Sequence, residues 1–280
     1  MSRNFLSEIV ARKRRVMEIF RANSQIDALH AQAVEVRKNA ATHRLRQALG
    51  SASPAVKIIA EFKRASPSGG IIRSDLSPGD VARYYENGGA CAISVLTNEE
   101  YFGGSLEDLG AVRSTTHLPV LRKDFIIDAI QVYEAAIAGA DAILLIVAAL
   151  DDASLGKLLN LTEDELGLDA LIEVHTSDEL RRVLTTGAKI IGVNNRNLQT
   201  LEVSMRTSEE LIAGAPKDTV MISESGLRDP EQLRWLRALG FHGFLIGEHL
   251  MRAKNPATAL RDLLAAANDQ QIVSLEKSRI

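Results

Sequence analysis

The sequence predicts an α/β protein closed into a (β/α)8 TIM barrel, on three observations. Short apolar, β-rich runs recur eight times between residues 57 and 247. Amphipathic stretches carrying charged residues separate them. The turn from helix to strand also repeats one glycine-centred form, NGGA at 87–90, AGADA at 138–142 and TTGAK at 185–189, as expected where a left-handed glycine ends a helix. Strands alternating with helices pair in parallel, because each crossover returns the chain to the same end of the sheet. Eight such units in roughly 220 residues suit a barrel, typically about 250 residues long, better than an open doubly wound sheet. An open sheet would also carry G-x-G-x-x-G after its first strand, and KRASPSGG stands there instead.

In chain order, the first 50 or so residues lie outside the repeat. Leu6, Ile9, Val10, Val16, Met17 and Phe20 recur at helical spacing and predict a helix over 5–20. A second helix is expected over 25–49, with breaks at Asn23-Ser24 and between Gly50 and Pro54. The predicted strands are KIIAEFK (57–63), CAISVLT (91–97), PVLRKDF (119–125), DAILLIV (141–147), DALIEVH (169–175), KIIGVNN (189–195), TVMISES (219–225) and HGFLIG (242–247). Between them, 78–87, 130–138, 177–184 and 230–239 read as helices. All 280 residues are taken as a single barrel domain, of which 1–54 forms an N-terminal two-helix extension that covers a barrel end or meets another subunit.

Composition narrows the function. With 33 basic and 36 acidic residues the net charge is −3, so no global field draws the chain to nucleic acid or an anionic membrane. Arg12-Lys13-Arg14-Arg15 reads as the solvated face of the first helix rather than a nucleic-acid patch. The longest apolar run, Ala142 to Leu150, is too short to span a bilayer. The single Cys91 and the absence of a signal-like start fit a reducing cytoplasm.

Barrels of this kind work at the carboxyl ends of their strands, while their interiors hold branched apolar side chains. A charged residue late in a strand is therefore informative, since burying it is costly unless it is paired or used. Alternation puts Glu61 and Lys63 on the face of Ile59, Lys123 with Leu121 and Phe125, Leu171 with Glu173 and His175, and Gly192 with Asn194 and Arg196. Each has a plain structural reading, such as an ion pair for Glu61 and Lys63 or a satisfied strand-end histidine for His175. Their coincidence at one end of several strands weakens that reading jointly. No third ligand stands near Glu173 and His175 at metal-site spacing, and Ser225 is not in a nucleophile elbow. The loops SESGLRD (223–229) and IGEHLM (246–251) place Gly226 and Gly247 where backbone N–H groups can approach a phosphate.

The stretches IIAEFKRASPSGG, LPVLRKDFIID, DAILLI, LIEVHTSDEL, IIGVNNRNL, ISESGL and FLIGEHLM, in that order, closely resemble the strand-end motifs of indole-3-glycerol phosphate synthases, and IVARKR resembles the family's opening helix. The resemblance implies the same barrel with an N-terminal helical extension. It implies conversion of 1-(2-carboxyphenylamino)-1-deoxyribulose 5-phosphate to indole-3-glycerol phosphate, with loss of CO2 and water, in tryptophan biosynthesis and with no organic cofactor or metal. Carried over by motif, the catalytic positions are Lys123, Glu173, Lys63, Glu61 and Asn194, and the substrate-binding ones Ser66, Phe125, Arg196, Glu224 and Ser225. Gly226, Gly247 and Glu248 fall at the phosphate. Lys123 is expected to act as general acid, Glu173 to stabilise the aniline cation, Lys63 with Glu61 to protonate the leaving hydroxyl, and Arg196 to support Asn194 or Glu173. The sequence departs from the family at Gly69, where Lys is frequent, and at Ala129-Ile130, where Pro-Tyr is usual.

The partners expected are a small phosphorylated substrate, no nucleic acid and no membrane. The chain is expected as a monomer or weak homo-oligomer in the cytoplasm, with association to other tryptophan-pathway enzymes. Two other readings of the same residues are a sugar-phosphate barrel of different chemistry, either a Schiff-base aldolase on Lys63 or Lys123 or a neighbouring isomerase, and a barrel kept as a binding scaffold.

Overall fold

A computed structural model of the chain describes residues 5–23, 25–50 and 55–269. All eight expected strands form, each within two residues of its predicted bounds. They are β1 (Ile58–Phe62), β2 (Ala92–Leu96), β3 (Val120–Lys123), β4 (Ala142–Ile146), β5 (Asp169–Val174), β6 (Ile190–Asn194), β7 (Val220–Glu224) and β8 (Gly243–Ile246). Each is parallel to its neighbours, and β8 closes on β1 through Ile58↔Phe244, Ile59↔Leu245 and Ala60↔Ile246. Every strand residue is buried, as a sheet covered on both faces requires. The register sets Glu61 beside Ser94 and Ser94 beside Leu121, and on the far side Glu173 beside Gly192 and Asn194 beside Glu224. Polar residues therefore form a ring at the mouth, above layers of Ile, Leu and Val.

Glycines end several helices as the repeated turn predicts. Gly89 (φ +93°) and Gly240 (φ +118°) are left-handed caps. Glycine-rich SPSGG, read from sequence as a loop, instead folds into a short antiparallel hairpin, Ala65–Ser66 against Gly70–Ile71.

The N-terminal extension comprises α1 (Phe5–Asn23), α2 (Ile26–Arg37) and α3 (Arg44–Gly50). The single helix expected over 25–49 is thus two. Tertiary bonds decide the break. Arg37 donates to the carbonyls of Leu166 (2.9 Å) and Gly167 (3.1 Å), while Arg44 turns to Asp141 at 2.8 Å and His43 takes φ +51° between them. The predicted breaks at Ser24 and Pro54 fall outside the described residues.

The extension runs along the barrel from mouth to base. At the mouth, Lys13 of α1 pairs with buried Asp124 at 2.9 Å and Arg12 with Glu100. The basic run of α1 is therefore partly a docking face, which corrects the expectation of a purely solvated one. α2 packs on the helix Ala129–Ile137. At the base, Asp169 accepts the Arg46 backbone N–H at 3.0 Å. Among the described residues no helix is long and apolar enough to cross a membrane.

Candidate active site

The ring of polar residues surrounds an open cavity of about 600 Å³ at the carboxyl ends of the strands. Its walls include Glu61, Lys63, Lys123, Arg196, Glu224 and Arg252. An adjoining apolar slot of about 120 Å³ shares Glu61, Lys63, Lys123 and Arg196, and adds Phe5, Phe102, Phe125, Ile146 and Leu198. A charged basin beside a greasy slot can hold a molecule that is anionic at one end and flat and apolar at the other.

Lys123 stands at the centre. Its ammonium meets Glu173 at 3.3 Å and makes a short contact with Glu224. Both carboxylates are buried, so water does little to separate the three charges. Burial by itself would strip Lys123 of its proton; Glu224, Glu173 and Glu61 outweigh it and hold the ammonium above its ordinary range. Burial likewise opposes ionisation of Glu173, yet Lys123, His175 and Asn194 bring its pKa down to about 2. Glu224 is the loser. Burial raises it, Glu173 and Glu61 repel its charge, and Lys123 offsets this only in part, leaving it at about 7. One lysine cannot serve two buried carboxylates equally, and the one with fewer partners retains a proton.

Two glycines make room for this arrangement. A Cβ on Gly192 would fall on the Glu224 carboxylate, and one on Gly247 would stand 2.5 Å from Glu61 Oε1. Glu61 pairs with Lys63 at 2.9 Å, as alternation along β1 predicts. Glu224 keeps one buried oxygen, Oε1, without a hydrogen-bond partner.

The remaining predicted residues gather at the same mouth with some differences of role. Asn194 accepts the Arg196 backbone N–H at 3.0 Å and supports Glu173. The Arg196 guanidinium, expected to support Asn194 or Glu173, bonds instead to Ser68 Oγ (3.1 Å) and the Leu201 carbonyl (2.9 Å), so it braces the rim. Ser66 Oγ accepts the Gly69 N–H at 3.0 Å and lines the slot. Ser225 (φ +69°) and Gly226 (φ +76°) follow β7 in the left-handed region, which turns the backbone to face the cavity. Glu248 begins the helix Glu248–Arg252 just after Gly247, and its carboxylate pairs with Arg252 at 2.9 Å.

Sequence reasoning missed Arg228 and Arg252, both of which line the cavity. Arg252 lies four residues after Glu248, a spacing that marks one helix face. Phe5 was also missed as a wall of the slot; it meets Tyr101 edge-on at 4.9 Å. Among the described residues no group of His, Cys, Asp and Glu is arranged to hold a metal ion.

Likeness to known proteins agrees with this geometry. Two solved structures share the fold at low identity: thiamine phosphate pyrophosphorylase from Pyrococcus furiosus (TM-score 0.57, 15% identity, covering 80% of this chain and 97% of that one), and 3-hexulose-6-phosphate synthase from Salmonella typhimurium (TM-score 0.60, 12% identity, covering 76% and 98%). Curated relatives are much nearer. The indole-3-glycerol phosphate synthase of Carboxydothermus hydrogenoformans is 49% identical over 225 residues, 79% of this chain and 84% of that protein. That of Lachnoclostridium phytofermentans is 44% identical over 243 residues, 81% of this chain and 89% of its own. The model of the family described as indole-3-glycerol phosphate synthase spans residues 6–263, from α1 through β8 and beyond. Fold, motif order and identity over most of the chain agree: this protein belongs to the indole-3-glycerol phosphate synthase family.

Proposed function

We propose that the Lys123 cluster closes the indole ring of 1-(2-carboxyphenylamino)-1-deoxyribulose 5-phosphate, giving indole-3-glycerol phosphate, CO2 and water. The observation that carries this reading is a buried ammonium held between two carboxylates, where a charged basin meets an apolar slot. The slot receives the carboxyphenyl ring. The basin receives the phosphate, met by the backbone N–H groups around Gly226 and Gly247, by the start of the helix Glu248–Arg252, and by Arg228 and Arg252.

Ring closure forms a bond between the carboxyl-bearing ring carbon and the ketone carbon, and the ketone oxygen gains negative charge. Lys123, held protonated, gives that oxygen its proton. The ring nitrogen becomes electron-poor, and ionised Glu173 stabilises it from a site with little water. Loss of CO2 returns an electron pair to the ring. The new hydroxyl then leaves as water on a proton from Lys63, which Glu61 steadies at 2.9 Å. Glu173 takes the proton released from the neighbouring methylene. Glu224, titrating near neutrality, is placed to recharge Lys123. Asn194, Ser66, Phe125 and Ser225 line the path of the substrate, and Arg196 braces its rim.

A Schiff-base aldolase on Lys123 is disfavoured by the same electrostatics, because an amine held charged is a poor nucleophile. The test is the appearance of indole fluorescence from purified protein and the carboxyphenylamino substrate. No fluorescent product, or borohydride trapping of a lysine adduct with a carbonyl substrate, would overturn the reading. A monomer or weak homo-oligomer remains the proposed working state, read by light scattering.

A further inference from the structure

His175 belongs to no step above, yet it lies against the centre of the site. Its side chain is 11% exposed and stands between two carboxylates, with Nε2 3.3 Å from Glu173 Oε1 and Nδ1 3.3 Å from Glu179 Oε2. The sequence HTSDEL explains the grip. Thr176 caps the helix Ser177–Leu184 by accepting the Glu179 N–H at 3.2 Å, the front half of a capping box. In such a box the acidic residue usually returns to the cap's own N–H. Here Glu179 reaches one residue further and accepts the His175 N–H at 2.7 Å, which brings the same oxygen to the ring. An ordinary helix start is thereby turned into a fixed support for a histidine.

Resting on the ring-closure reading, we propose that His175 and Glu179 form a buckle that positions the Glu173 carboxylate: Glu179 fixes the imidazole, and the imidazole fixes Glu173 against Lys123. Glu173 has three neighbours that can hold it, Lys123 from β3, Asn194 from β6 and His175 from just beyond the end of its own strand. The first two also face the substrate and must change partners during the reaction. His175 Nε2 is buried and makes no hydrogen bond, and the acceptor nearest it is Glu173 Oε1 at 3.3 Å, an ion contact that faces no substrate and can hold Glu173 throughout. The charged groups around the ring are Glu173 and Glu179; Arg182, on the same helix, turns away to Asp152 and to the carbonyls of Val147 and Leu150. Burial disfavours the charged ring, but the two carboxylates outweigh it and carry its pKa up to about 10.

The test uses the full chain with His175→Gln and Glu179→Gln. His175→Gln should lower kcat about tenfold with KM nearly unchanged, since it removes a charge from beside a reacting group rather than a substrate contact. Glu179→Gln leaves the ring in place without its outer partner. Its histidine ring, followed by nitrogen NMR without substrate, should titrate at least a unit below that of wild type measured alongside. Its loss of turnover relative to wild type should be about two- to fivefold greater at pH 9 than at pH 6, where the ring is still charged. Wild-type kcat in His175→Gln, an unmoved ring titration, or an equal loss at both pH values would each overturn the buckle. If His175→Gln does not fold, Glu179→Gln decides alone. A wild type that makes no indole product would sink the ring-closure reading, and the ring titration would still decide the link to Glu179.

Discussion

The two ends of this barrel bury the same kinds of residue and use them differently. At the base, Asp141 Oδ2 receives Arg44 (2.8 Å), Arg113 (2.8 Å) and the Val120 N–H (2.9 Å), so three donors converge on one oxygen. The base cations are mostly arginines, whose flat forks match a carboxylate and do not give up a proton. At the mouth the cations beside the buried glutamates are Lys63, Lys123 and His175, which can, and the arginines stand at the rim. Lys123 is shared by two carboxylates, Glu224 keeps an oxygen unpaired, and an open cavity adjoins both. The base is closed, and among the described residues its two buried atoms without a hydrogen bond, His43 Nδ1 and Asp169 Oδ1, face each other at 3.4 Å; at the mouth the unpartnered Glu224 Oε1 lies beside an open cavity. Strand-end charge by itself does not mark a reacting centre, whereas charge with unmet bonding capacity beside a cavity does.

Substitutions can break that contrast. Lys123→Met should have the largest effect, lowering kcat at least ~10³-fold in the indole fluorescence assay, within the range of a lost general acid, while circular dichroism keeps its native form. Asp141→Ala should do the reverse. It leaves Arg44 and Arg113 without their carboxylate and should cost about 3–5 kcal/mol in urea unfolding, with kcat unchanged. Gly192→Ala lies between the two, because its Cβ displaces Glu224; turnover should fall about 10- to 100-fold with a small change in unfolding midpoint.

Glu224→Gln sharpens the comparison through pH. The folded pKa of Glu224 is raised from 4.5 to about 7, so the fold favours the protonated form, and its contribution to stability fades as pH rises through that window. Wild type should therefore lose stability relative to Glu224→Gln between pH 5 and 8, by on the order of 1 kcal/mol in urea titrations at the two values. Phe5→Ala should be mildest, raising KM about threefold through lost contact in the slot with kcat nearly unchanged.

Most of the barrel was legible because buried parallel strands read as β-rich apolar runs and helix ends as glycine turns. The mouth was legible because alternation along one strand is local: Glu61 with Lys63 and Glu173 with His175 follow from a spacing of two. Partnerships between distant segments were not. Nothing near Lys13 announces Asp124, which lies 111 residues on, and the break before α3 depends on carbonyls at 166 and 167. Arg228 and Arg252 were missed for the same reason: loops after different strands bring them to one rim. The raised pKa of Glu224 was not legible either, because it depends on burial and on which partners Lys123 already serves.

The strap formed by α1, α2 and α3 has a consequence for the order in which the protein is made. Its anchors, Asp124, Asp141 and Asp169, follow their partners Lys13, Arg44 and Arg46 by 111, 97 and 123 residues. At a synthesis rate of about 5–20 residues per second, the strap waits on the order of 5–25 s for its docking sites. During that interval Leu6, Ile9, Val10 and Met17, all buried in the finished fold, have no barrel to cover them. The basic residues along α1 keep that waiting helix in water, and some of them later become the clasp.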